Sequence, residues 1–119
     1  MRLHTVARVI ALFGVLLGFV HIALTPQAYP GWTIDALWFV GTGLAIVVAA
    51  AANVVSFQAT GLRSRLLMTA INLAMGIFFA AAWLVLPGLQ IVVGGLLFLS
   101  LAAFSLVGHS GNKEAKQSR

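Results

Sequence analysis

The chain contains no cysteine and only two acidic residues, Asp35 and Glu114, among its 119 positions. The missing thiols exclude disulfides, thiolate metal centres and thiol redox chemistry, and they leave the redox compartment unreadable. No paired carboxylates, Gly-rich phosphate loop or Ser/His/Asp set is present, so the common enzymatic constellations have no footing. Basic residues are absent over long distances as well. None occurs between Arg8 and Arg63, and none between Arg65 and Lys113. Charged residues make up 8% of the chain, against roughly a quarter in a soluble domain.

What fills these gaps is Leu, Val, Ala, Ile, Phe and Gly, and hydrophobic residues reach 61%. One soluble core of this size could not hide so much apolar surface. Lipid is therefore the expected solvent, and the length leaves room for one compact domain. The net charge of +5 would point to nucleic acid in a soluble protein. Here the basic residues flank apolar stretches, which points to lipid head groups and topology, with no nucleic-acid partner.

A membrane-crossing helix needs about 20 apolar residues. The first candidate covers residues 6–24 and ends at Thr25-Pro26, and the second covers 36–56. The uncharged stretch 66–112 is too long for one crossing. Pro87-Gly88 divides it into 66–86 and 89–108, because proline ends the hydrogen-bond ladder and glycine favours a turn. Transmembrane strands would alternate polar with apolar residues, and the run of apolar residues over 45–52 does not. The first stretch also exceeds a usual signal-peptide core and lacks a small-x-small cleavage site, so it is read as a retained helix. The expected fold is an all-α integral membrane protein, a four-transmembrane-helix bundle over residues 1–108 in up-down-up-down order. Residues 109–119 are expected to form a basic cytoplasmic tail.

Four crossings place the N-terminus, the 57–65 loop and the tail on one side, with all seven basic residues. The positive-inside rule makes that side the cytoplasm, and the bacterial inner membrane the expected location. Tyr29, Trp32, Trp38 and Trp83 fall near the opposite ends of the spans. An interfacial aromatic belt accounts for them without invoking function.

Helical projection gives each span one small or polar stripe. The first carries Ala7, Ala11, Gly14, Gly18, His21 and Thr25. Its G-x-x-x-G pair admits close backbone approach, within the bundle or in a homodimer. The second carries Trp38, Thr42, Ala45, Ala49, Ala52 and Ser56. The third carries Asn72, Gly76, Phe79 and Trp83, and the fourth Gln90, Gly94, Leu97, Leu101 and Gly108. Turned inward, the four stripes make the bundle.

His21 lies inside a span, where an ionisable group is a functional candidate by default. Its plain alternative is a single hydrogen bond to a neighbouring helix. Asp35, at the start of the second span, is expected to cap free amides and oppose the helix dipole. With His21 it would form the one plausible proton-handling pair. Trp38, Trp83 and Gln90 sit at similar depths and, with His21 and Asp35, could line a mostly apolar ligand pocket; belt and core packing are the competing account. Asn53 and Asn72 are expected to bridge helices, while Arg63 and Arg65 are read as topology determinants. His4, His21 and His109 are too dispersed for a metal site, and no cofactor is implied.

Particular residues separate this chain from several small membrane families. The first span lacks the embedded glutamate of small multidrug transporters. Residues 66–86 lack the polar third-helix motif of fluoride channels, and quinone-coupled disulfide enzymes need cysteines. The segment His21-Ile22-Ala23-Leu24-Thr25-Pro26, followed by Trp38-Phe39-Val40-Gly41-Thr42-Gly43, resembles DoxX-type four-helix proteins. That likeness covers about the first half and carries no site residue across.

The leading expectation is a non-enzymatic protein that binds a lipophilic small molecule, lipid or membrane partner in the outer half of the bundle. The alternatives are a proton-linked transporter or exporter using His21 and Asp35, and an accessory, quinone-contacting subunit of a membrane redox complex.

Overall fold

A computed structural model describes residues 2–57 and 61–107, with the side chain of Arg2 left out. Five helices follow one another: α1 (Arg2–Ala23), α2 (Thr25–Ala28), α3 (Ile34–Ser56), α4 (Leu62–Val85) and α5 (Leu89–Val107). No strand occurs among the described residues. Four helical spans are long and apolar enough to cross a membrane: Leu3–Ala28, Ile34–Ser56, Leu62–Val85 and Leu89–Val107. At 1.5 Å per residue even the shortest reaches about 28 Å, close to the hydrocarbon thickness. Large apolar side chains such as Leu16, Phe19, Val48, Ile77 and Leu96 are exposed around the outside. A lipid-facing surface looks like this, since acyl chains are as apolar as the core.

The breaks between helices have local causes. The chain almost continues from α1 into α2, for Leu24 N–H still donates to the Val20 carbonyl at 3.0 Å. Pro26 occupies the first turn of α2, where its missing N–H does no harm. At α3 the Thr33 hydroxyl accepts from Ala36 N–H at 3.2 Å and caps the helix. Asp35 was the expected cap; it lies instead within the first turn, where it still opposes the dipole. At Pro87-Gly88 the ladder stops and restarts, with Leu86 N–H bonded back to Ala82 and Ile91 N–H to Gly88.

α1 packs most extensively on α3, and α4 on α5; α1–α5 and α3–α4 contacts close the ring. The core joins all four: Ala11 from α1, Ile46, Ala49 and Ala50 from α3, Phe79 from α4, and Leu97, Phe98 and Leu101 from α5. The Phe79 and Phe98 rings stack with centroids 6.0 Å apart. Gly94 makes room for this ring pair, since a Cβ there would run into the Phe79 ring.

The inward stripe of α1 is as expected, with Ala7, Ala11, Gly14, Gly18 and Thr25 buried and His21 half-buried. That of α3 is not. Its buried face is Ala36, Gly43, Ile46, Ala49, Ala50 and Asn53, whereas Trp38 is 71% exposed and Ala45 is exposed. Hydroxyl groups misled the projection. Thr42 donates to the Trp38 carbonyl and Ser56 to the Asn53 carbonyl, so each is satisfied on its own helix and has no need to face a neighbour. Asn53 and Gly43 choose the face in their place.

Asn53 and Asn72 exchange two side-chain amide bonds of 2.7 and 2.8 Å between α3 and α4. Asn53 also donates to the Ala49 carbonyl at 2.8 Å. Both residues are at most 2% exposed, so the pair satisfies amides that would otherwise be stranded. Arg65 reaches from α4 to the end of α5, donating to the Ser105 and Leu106 carbonyls at 3.1 and 2.8 Å. A cation on the last carbonyls of a helix meets the negative end of its dipole. On α4, Asn72, Gly76 and Phe79 are buried as expected, but Trp83 is 46% exposed. On α5, Gly94, Leu97 and Leu101 are buried while Gln90 is exposed. Gly108 and the 109–119 tail lie outside the described residues.

Candidate functional site at the α2 end of the bundle

The sequence between α1 and α3 is dense in residues that resist regular helix: Pro26, Pro30 and Gly31, with Tyr29 and Trp32 among them. Because the chain turns here over a short distance, α2 folds back near the start of α3 and a groove of about 420 Å³ opens between them. Its lining is Ile22, Thr25, Pro26, Tyr29, Pro30, Gly31, Trp32, Ala36 and Val40. Thr25 offers little polarity, since its hydroxyl already donates to the Ile22 carbonyl at 2.7 Å. The groove is open and mostly apolar, with the Tyr29 and Trp32 rings in its lining.

A three-ring stack stands next to the groove. The His21 imidazole lies 3.9 Å from the Phe39 ring, nearly parallel at 18°. Tyr29 meets the same ring edge-on at 5.5 Å, a favoured aromatic geometry. Gly43 lets the imidazole in close, for a Cβ there would stand 3.1 Å from His21 Cδ2. The His21 Nε2 atom is buried and has no hydrogen-bond partner. The ring does engage a neighbouring helix, through a hydrogen-bond interaction with the Phe39 backbone of α3. Stacking on Phe39 and this backbone interaction both hold the ring.

None of the five expected ligand-binding residues lines the groove. His21 directly precedes the groove residue Ile22 and is joined through Phe39 to Tyr29. Asp35 is exposed and precedes the groove residue Ala36. Trp38 is on the exposed side of α3. Trp83 is half-exposed on α4. Gln90 folds against its own turn, since a Cβ on Gly88 would meet its amide at 2.6 Å. No hydrogen bond or ion pair joins His21 to Asp35.

Phe39 and the 26–32 segment lie outside the helical stripes. The signal was available in part, as two prolines, a glycine, a tyrosine and a tryptophan crowd into one connection. Among the described residues, no three His, Asp or Glu side chains gather as a metal site would require. No protein-family model, characterised protein or solved structure matches this chain.

Proposed function

We propose that this protein is a bacterial inner-membrane bundle that binds a lipophilic small molecule or lipid in the groove between α2 and α3. In this reading the four spans run up-down-up-down with both termini in the cytoplasm, and the groove faces the outer leaflet. The basic residues Arg8, Arg63, Arg65, Lys113, Lys116 and Arg119 support that orientation through the positive-inside rule. The carrying observation is the groove itself, about 420 Å³ and lined chiefly by apolar and aromatic side chains beside the His21–Phe39–Tyr29 stack. Residues in such a place, at the end of a membrane bundle, can admit a ligand directly from lipid.

Native mass spectrometry of the intact protein from mild detergent tests the reading. A discrete lipophilic adduct is expected. Val40→Trp, which fills the groove, should lower its occupancy several-fold, while Val48→Trp on the exposed side of α3 should not. Equal occupancy in both variants refutes it.

A further inference from the structure

We infer that the occupant of this groove is a lipophilic cation, an ammonium or phosphonium centre on an apolar body; the inference rests on the groove being a binding site. From residue 9 to residue 62 the chain carries one formal charge, Asp35. All nine groove residues fall within that stretch. No lysine or arginine is therefore supplied by the surrounding sequence to repel a cation or to pair with an anion, and the one titratable base beside the groove, His21, is stacked on Phe39 with its Nε2 buried.

Two groove residues are aromatic, Tyr29 and Trp32. Trp32 is 73% exposed, free to meet a ligand that carries charge over its ring face. Asp35 immediately precedes the groove residue Ala36. Thr33 and not Asp35 caps α3, and no hydrogen bond or ion pair engages the Asp35 carboxylate among the described residues. The α3 N-terminus offsets about half a charge, which leaves Asp35 a net negative group next in sequence to the groove lining. An anion would meet that charge without a counter-charge, and a neutral lipophile would gain apolar contact alone. A cation gains both.

Equilibrium dialysis of the full chain in nonionic detergent, with three probes, decides the matter. The probes are tetraphenylphosphonium, neutral triphenylphosphine oxide and tetraphenylborate, each corrected for micelle partition with the Val40→Trp variant. Saturable binding is expected to be tightest for the phosphonium. Asp35→Asn should weaken the phosphonium about three-fold, as for a unit charge lost several ångströms away in a wet site. Trp32→Leu should weaken it about five-fold through the lost ring face. Both variants should leave the neutral probe within two-fold, roughly the limit set by small changes in apolar contact. Equal binding of cation and neutral probe, or an unchanged cation affinity in Asp35→Asn, overturns the cation assignment and leaves the groove reading standing. Tightest binding of the borate overturns the assignment as well. Saturable binding by none of the three overturns both.

Discussion

Gly18 on α1 and Gly43 on α3 bring the two helices into backbone contact. A Cβ on Gly18 would lie 2.9 Å from the Gly43 carbonyl oxygen, and one on Gly43 would lie 3.1 Å from that of Gly18. A methyl group at either place must push backbone as well as side chains. Gly18→Ala is expected to destabilise the bundle by about 1–3 kcal/mol, the usual cost of overpacking. Gly41→Ala has nothing within 4 Å of the new Cβ and should leave stability unchanged or slightly raised. Denaturation in mixed micelles, followed by helical signal, compares the two; equal losses would contradict the contact.

The Asn53–Asn72 pair predicts coupling between its members. Each single substitution to leucine leaves a buried amide partly unpaired, while the double substitution removes both. A double-mutant cycle should return a coupling of about 0.6 kcal/mol, and at most about 1.7, as for interhelical hydrogen bonds in membranes. Strict additivity would mean that the two amides do not bond.

Arg63 and Arg65 have the same charge and neighbour one another in sequence, but only Arg65 holds the end of α5. Arg65→Ala should cost about 1 kcal/mol, and lysine should recover only part because it cannot reproduce the forked donor set. Arg63→Ala is expected to leave stability unchanged, since that side chain is exposed. Amide hydrogen exchange over the last turn of α5 reads the difference directly, with faster exchange only for Arg65 variants.

Stacking on Phe39 without a partner for Nε2 makes a distinct statement about His21. His21→Phe keeps the ring and removes the unpaired Nε2 but loses the interaction with the Phe39 backbone, so it should stay within about 1 kcal/mol of the parent protein in stability. His21→Ala loses the stack and should fall below it by about 1 kcal/mol. A large loss with phenylalanine would show that the nitrogen has a partner.

Trp38 on the exposed side of α3 should meet lipid. In a variant that retains Trp38 as its sole tryptophan, brominated lipids are expected to quench most of the fluorescence. Weak quenching would return Trp38 to the bundle interior.

The α1 stripe was readable because small residues at helical spacing leave only one face on which another backbone can approach. On α3, serine, threonine and tryptophan at helical spacing are poor markers of the inward face, while Ala49 of the same spacing is buried. A hydroxyl bonded to the carbonyl one turn back, as in Thr42 and Ser56, is already satisfied and gives no information about neighbours. Asn53 cannot satisfy its whole amide group in that way, and so it did mark the interface. The groove was hidden for another reason. Its walls come largely from a connection whose path follows no period, and Phe39 reaches it only through contact with Tyr29.

The sequence by itself determined the class of solvent, the number of apolar helices and the breaks between them. Those follow from length, hydropathy and proline, which act along the chain. Only the tertiary structure decided which face of α3 turns inward and that Gly14 and Gly18 pack within one chain, against Ala50, Leu97 and the α3 backbone. It alone placed the groove beside α2. These depend on which distant side chain fills the gap a glycine leaves, and which amide finds its partner. One helix considered alone has no means of expressing either.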